Sequence, residues 1–275
     1  MFLKKNKEKI ALIAGDGNLP FQIIKELEKN KQDFVVIALQ GFANADDFAK
    51  YETYVYYMGS MKRIITKLHS LKVKRIVFAG SVKKPSLSDI KLDSISYKIL
   101  CKAIVQGFGD DRLLRLVMKE LEKHNFKVVS SSEICPELLV SKGKMGKVKI
   151  HHYDKKNIQK GIKVLKATAD LDIGQSVIID QGSVLGLEAI EGTEDLIKRC
   201  KKLRISSKKA GVLVKMKKIK QSEKVDMPTV GINTLKQLEQ SGFAGIAIEA
   251  GGVQVVNKEK FIETADELGL FIEIF

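Results

Sequence analysis

Tryptophan is absent from this chain, aromatic residues make up only 7% of it, and proline occurs four times in 275 residues. Cysteine is scarce too: Cys101, Cys135 and Cys200 are odd in number and lack C-x-x-C spacing, which excludes a disulfide framework and a structural zinc knot. A reducing cytoplasm fits that usage. No apolar run reaches the ~18–20 residues of a membrane helix, so a membrane-spanning chain is not expected. The apolar stretch Ile10–Ala14 follows a lysine-rich start but stops at Gly15-Asp16-Gly17, so it reads as a first strand and not as a secretion signal. Acids are the scarcer charge, 33 against 48 Lys and Arg, leaving a net +15.

Several chemistries lack their residues. There is no H-E-x-x-H, D-x-H or N-H-E arrangement for a histidine-held metal, which disfavours a two-metal phosphoesterase. No G-x-S-x-G elbow and no G-x-x-x-x-G-K-[ST] loop are present either. His69 and His124 fall on helix patterns, where packing or capping accounts for them, and His151-His152 has no matching ligand cluster. The lysines form short clusters at 1–9, 198–209 and 215–220. Without aromatic interleaving or a recognisable binding module they do not point to nucleic acid. Solvated faces, an anionic small substrate and an anionic membrane surface are the readings left.

What is present is a globular composition, 44% apolar and 29% charged, at a length that suits two domains. In the first half short apolar runs alternate with amphipathic stretches, the pattern of a parallel sheet covered by helices. Strands are expected at 9–14, 34–39, 53–57, 75–79 and 127–130, with helices at 21–30, 61–71 and 111–124. Periodicity lapses around Pro136, Gly143 and Gly146. A linker is therefore placed at 140–154, between a Rossmann-like domain (1–139) and a C-terminal α/β domain with a mixed sheet (155–275). The second domain should hold a helix at 155–169, strands at 176–180, 184–190, 212–215, 247–249 and 253–256, and helices at 234–241 and 258–268.

Carboxylates next to turn glycines recur in that second half: Asp172-Ile173-Gly174-Gln175, Glu188-Ala189-Ile190-Glu191-Gly192-Thr193, Asp226-Met227-Pro228-Thr229-Val230-Gly231 and Glu249-Ala250-Gly251. Such acids can face a cleft and converge on a hard cation such as magnesium. Asp226 stands out because Pro228 fixes the chain just after it. It can orient metal or water, or simply bond its own turn. Glu188 and Glu191, three apart on an expected strand, would point to opposite faces, so one of them reaches a site. In the first half Gly15-Asp16-Gly17-Asn18-Leu19-Pro20 joins a strand to a helix. It suits either a phosphate contact or a plain tight turn, with Pro20 in place of the third glycine of a dinucleotide fingerprint. Gly80-Ser81-Val82-Lys83-Lys84 should lie at the same sheet edge, where Lys83 could meet a phosphate. Asp110 and Asp111 precede a helix. Capping accounts for one of them and Asp110 is free for a ligand.

Taken in order, these motifs together with Gly245–Gly251 resemble the LpxI-type UDP-2,3-diacylglucosamine pyrophosphatases along nearly the whole chain. The resemblance implies magnesium-dependent hydrolysis of UDP-2,3-diacylglucosamine to 2,3-diacylglucosamine 1-phosphate (lipid X) and UMP in lipid A synthesis, with water attacking the α-phosphorus. It implies a homodimer, and a lipid substrate on a basic chain implies a cytoplasmic enzyme at the inner leaflet. It also marks Asp226 as the essential acid, and magnesium is then expected to bridge the pyrophosphate and one or more of Asp226, Glu191 and Asp172. Gly15, Asp16, Gly17, Asn18, Gly80, Ser81, Lys83, Asp110, Gln175, Thr193 and Thr229 are then the substrate-binding residues. Two departures are visible: where the family pattern before that acid reads Q-D-x-R-x-D, this chain has Gln221-Ser222-Glu223-Lys224-Val225-Asp226, and Glu194 stands where the pattern carries Asp after E-G-T. Two other classes fit the loops alone, a non-catalytic nucleotide- or lipid-binding protein and an NAD(P) oxidoreductase.

Overall fold

A computed structural model of the chain describes residues 8–82, 92–106, 110–171, 173–205, 208–218, 224 and 227–275. Two compact units make it up, the first running to Pro136 and including Ser222–Asp226, the second formed by Glu137–Gln221 and Met227–Phe275. Each has its own sheet and core.

The first unit is an all-parallel sheet of β1 (Ile10–Ala14), β2 (Phe34–Leu39), β3 (Thr53–Tyr56), β4 (Arg75–Ala79) and β5 (Lys127–Val129), in the order β3-β2-β1-β4-β5. Every residue of β1 is buried, as expected of a central parallel strand covered on both faces. Around the sheet lie α1 (Leu19–Lys29), α2 (Met61–Ser70), α3 (Ser94–Gln106), α4 (Asp110–Lys123) and the short α5 (Ser131–Ile134). Helix α3 was not expected from the sequence. Its inward stripe of Ile95, Ile99 and Ala103 is masked by apolar residues on the outer face, where Tyr97, Ile104 and Val105 are exposed. Helix α1 starts two residues earlier than the pattern suggested, because Pro20 sits in its first turn, where a missing N–H costs nothing.

Strand order reverses at β1, with β2 on one side and β4 on the other, and the loops after β1 and β4 meet at that point. They are joined by backbone. Asp16 and Ser81 exchange N–H···O bonds of 2.9 Å each, and the Gly15 N–H donates to the Ala79 carbonyl at 2.9 Å. A Cβ on Gly15 would stand 2.5 Å from the Ser81 carbonyl oxygen. One on Gly80, whose φ is +96°, would stand 2.7 Å from that of Asp16. Gly80→Ala is thus expected to lower stability by about 2 kcal/mol or more, since it adds a clash with backbone to an unfavourable φ. Urea denaturation checks this, and a change below ~0.5 kcal/mol would contradict it.

The second unit carries a six-stranded mixed sheet in the order β6-β13-β11-β9-β7-β8. Its strands are β6 (Gly143–Met145), β7 (Ser176–Asp180), β8 (Ser183–Leu187), β9 (Val212–Lys215), β11 (Gly245–Ile248) and β13 (Phe271–Ile274). β10 (Thr229–Val230) and β12 (Gln254–Val255) form a separate parallel pair. One face is covered by α6 (His152–Thr168), which packs Ile158 and Leu165 on Val177, Ile179, Val212 and Val214. The other is covered by α7 (Gly192–Lys201), α8 (Ile232–Gln240) and α9 (Lys258–Glu267), packed on Ile178, Leu213, Ile246 and Ile272. The two-residue alternation along β7 and β9 sorts these side chains between the faces.

Several expectations change here. Within 140–154, Gly143–Met145 pairs antiparallel with β13, and α6 begins at His152. The hairpin turn at Gln181 and Gly182 is as expected, both residues taking positive φ. Its return strand ends at Leu187, however, and not at Ile190. Glu188 and Glu191 therefore leave the strand, and their relative directions no longer follow from strand alternation. Helix α7 was also missed, because its buried residues are few (Leu196, Ile197 and Cys200) and its second half reads as a lysine cluster.

Candidate active site

In the first unit Asp16, Gly17 and Asn18 are exposed at the point where strand order reverses, just ahead of α1. The cap residue Asn18 makes no side-chain capping bond to the helix. Gly17 has φ +96° and open space where a Cβ would lie. In doubly wound sheets ligands bind outside the carboxyl ends of the strands at such a reversal. The start of α2 is in contrast already served by a resident carboxylate: Asp93 accepts from the Lys62 N–H (2.6 Å) and also from the Ser96 N–H (3.0 Å). Gly80 and Ser81 belong to the zipped loop pair, Ser81 being exposed beside Asp16. Asp110 opens α4, and Lys83 lies outside the described residues.

The second unit brings together a buried polar cluster at the carboxyl end of β9. Lys215, the last residue of that strand, is 3% exposed, Glu188 7% and Ser176 0%. Lys215 Nζ donates to Thr193 Oγ1 at 2.6 Å, and the Thr193 hydroxyl donates to Glu188 Oε2 at 3.0 Å. Thr193 has one proton, which Glu188 takes, so in the 3.3 Å contact between the Ser176 and Thr193 hydroxyls Ser176 is the donor. Lys215 Nζ and Glu188 Oε2 are 4.0 Å apart. Backbone fixes the cluster: Ser176 is in register with Lys215, and the Glu188 N–H donates to the Ser176 carbonyl at 2.8 Å. Gly174 lies so close that a Cβ there would stand 1.9 Å from the Glu188 carbonyl oxygen. At the same sheet edge Glu249 accepts the Lys217 N–H at 2.9 Å.

A family model of the LpxI N-terminal domain matches residues 9–138 and one of the LpxI C-terminal domain matches residues 141–273. The chain belongs to the LpxI family. It is 34% identical over 270 residues, 96% of either chain, to a protein of Caulobacter vibrioides named UDP-2,3-diacylglucosamine pyrophosphatase LpxI.

The motifs that carried the LpxI resemblance occupy different places in the fold. Thr193 lies within the Lys215 cluster. Gln175 faces the α6 side, where it lines a small hollow with Leu165, Lys166, Ala169 and Met216, and its buried Oε1 has no partner among the described residues. Glu191 is engaged elsewhere: its Oε1 accepts from Arg199 at 2.8 and 3.1 Å, and its Oε2 from the Ala189 N–H at 3.2 Å. Burial raises the Glu191 pKa, but its own and the Ala189 amide together with the Arg199 guanidinium outweigh that and hold the carboxyl below the usual range. Thr229 anchors the turn after Asp226, its hydroxyl donating to the Met227 carbonyl at 3.1 Å, while the Gln254 N–H donates to that of Pro228 at 2.8 Å. Asp226 and Asp172 lie outside the described residues. Lys224, which occupies the place of the family arginine, is in the first unit 3.5 Å from Glu122. Sequence reading missed Lys215 as a site residue, because a lysine ending an apolar strand next to a lysine cluster looks like a solvated terminus. The one available signal was an ionisable residue completing Val212–Lys215, a fully buried run.

Proposed function

We propose that this chain hydrolyses UDP-2,3-diacylglucosamine to 2,3-diacylglucosamine 1-phosphate and UMP, a step of lipid A synthesis, using magnesium. What carries the reading is its membership of the LpxI family and its likeness, along nearly its whole length, to a relative named for that activity. The buried ammonium at the end of β9 supports it, since preorganised donors are what phosphoryl transfer asks of a protein. Asp226 lies on the connection from β9 to β10 and is assigned to orient or deprotonate the attacking water.

Carboxylate oxygens are donors that magnesium prefers, and the ion would neutralise phosphoryl charge when bound. Of the three acids assigned to it, Asp226 and Asp172 fall outside the described residues. Glu191 is held by Arg199 through Oε1, which leaves Oε2, already accepting the Ala189 N–H, as the oxygen that could serve. The finer reading places attack on the α-phosphorus. Hydrolysis in ¹⁸O-water tests that: label in UMP supports it, and label in 2,3-diacylglucosamine 1-phosphate moves the attack to the other phosphorus.

The reading extends to a homodimer and to association with the inner leaflet. No helix of the described residues is long and apolar enough to cross a membrane, and the net charge of +15 favours an anionic surface. Flotation with vesicles containing anionic lipid should show binding that falls as salt is raised. Absence of binding at low salt would sink the membrane part.

A further inference from the structure

We propose that Lys215 is an anion-binding residue that holds a phosphoryl oxygen of the pyrophosphate group. The inference deepens the function proposed above and rests on it. A lysine ammonium has three N–H bonds. Thr193 receives one, at 2.6 Å, and Glu188 at 4.0 Å is too far to receive another. Two donors therefore have no acceptor among the described residues, on a side chain that is 4% exposed. Buried donors in a native fold are normally satisfied, and leaving them open is costly.

A purely structural ion pair would close the gap and bond lysine to glutamate directly. Here Thr193 is interposed. Glu188 offsets the charge through the threonine hydroxyl without consuming the remaining N–H bonds. The Thr193 hydroxyl itself is saturated, donating to Glu188 and accepting from Lys215 and Ser176, so it acts as a positioning residue for the ammonium. An ammonium offers donors and positive charge only, so the missing partner is an acceptor, and phosphoryl oxygen is the class that answers both the open N–H bonds and the charge. The location agrees: Lys215 ends β9 at its carboxyl edge, the edge of an open α/β sheet where ligands bind.

The test is calorimetric binding of inorganic pyrophosphate to the full chain, alongside kcat/KM on UDP-2,3-diacylglucosamine, for wild type, Lys215→Met and Lys215→Met/Glu188→Gln. The single variant strands a buried carboxylate and can lose stability for that reason alone. The double variant removes both charges and should unfold close to wild type. Both folded variants should bind pyrophosphate roughly 10- to 100-fold more weakly than wild type and lose kcat/KM by a similar factor, the value of a charge-assisted hydrogen bond. A double variant that folds and still binds and turns over like wild type would overturn the inference and leave Lys215 a structural residue. A wild type that hydrolyses the substrate but shows no Lys215-dependent difference also overturns it without touching the proposed function. A wild type that binds pyrophosphate through Lys215 and hydrolyses nothing sinks the function and keeps the anion site.

Discussion

Asp226→Ala should reduce UMP release by roughly 10³-fold, the scale of losing a positioned base or a metal-orienting carboxylate. Its stability should stay close to that of wild type. The chain just after Asp226 is held by contacts that do not use its side chain: β10 pairs with β12, the Gln254 N–H donates to the Pro228 carbonyl, and Thr229 bonds the Met227 carbonyl. The buried Val230 and Val255 then tie that pair into the core of the second unit. Thermal unfolding of the variant should shift by no more than about 2 °C, as for a surface substitution. A variant that loses activity only because it unfolds would mark Asp226 as a turn acid bonded to its own backbone.

Removing divalent metal should have an effect of similar size. Excess EDTA is expected to cut turnover about 10³-fold, and added magnesium to restore it, because neutralising phosphoryl charge and orienting water supply most of the catalysis in this class. Calcium, larger and less demanding in geometry, should restore less. Full activity in EDTA would remove magnesium from the proposal and leave the phosphoryl charge to groups such as Lys215.

The alternation of apolar runs and amphipathic stretches made the first unit legible almost strand for strand, because a parallel sheet needs continuous apolar strands and its helices show one apolar stripe each. Where that signal blurs, the reading failed. Helix α3 is apolar on both faces, α7 is short and basic, and β6 and β10 are stretches of three and two residues whose pairing is decided by tertiary contacts with β13 and β12. The recurrent acid-and-glycine spacing was readable, yet part of its meaning is steric. At Gly174 the Glu188 backbone passes too close to leave room for a side chain. The two loops at the strand-order reversal behave alike, with Gly15 and Gly80 spent on pairing loop to loop while Gly17 faces open space. Glu191 was read as a ligand from its place in a motif, and its engagement by Arg199, eight residues on, could not be seen without the α7 turn. Lys215 and Glu188 come together only through the register of β7 against β9, a long-range fact that spacing does not encode.

The most direct measurement is UMP release from UDP-2,3-diacylglucosamine by the purified wild-type chain with magnesium present. UMP and 2,3-diacylglucosamine 1-phosphate formed in equal amounts is the predicted result. Intact substrate after incubation with folded protein, across a series of divalent metals, would contradict it and leave a protein that binds a nucleotide or lipid without cleaving it.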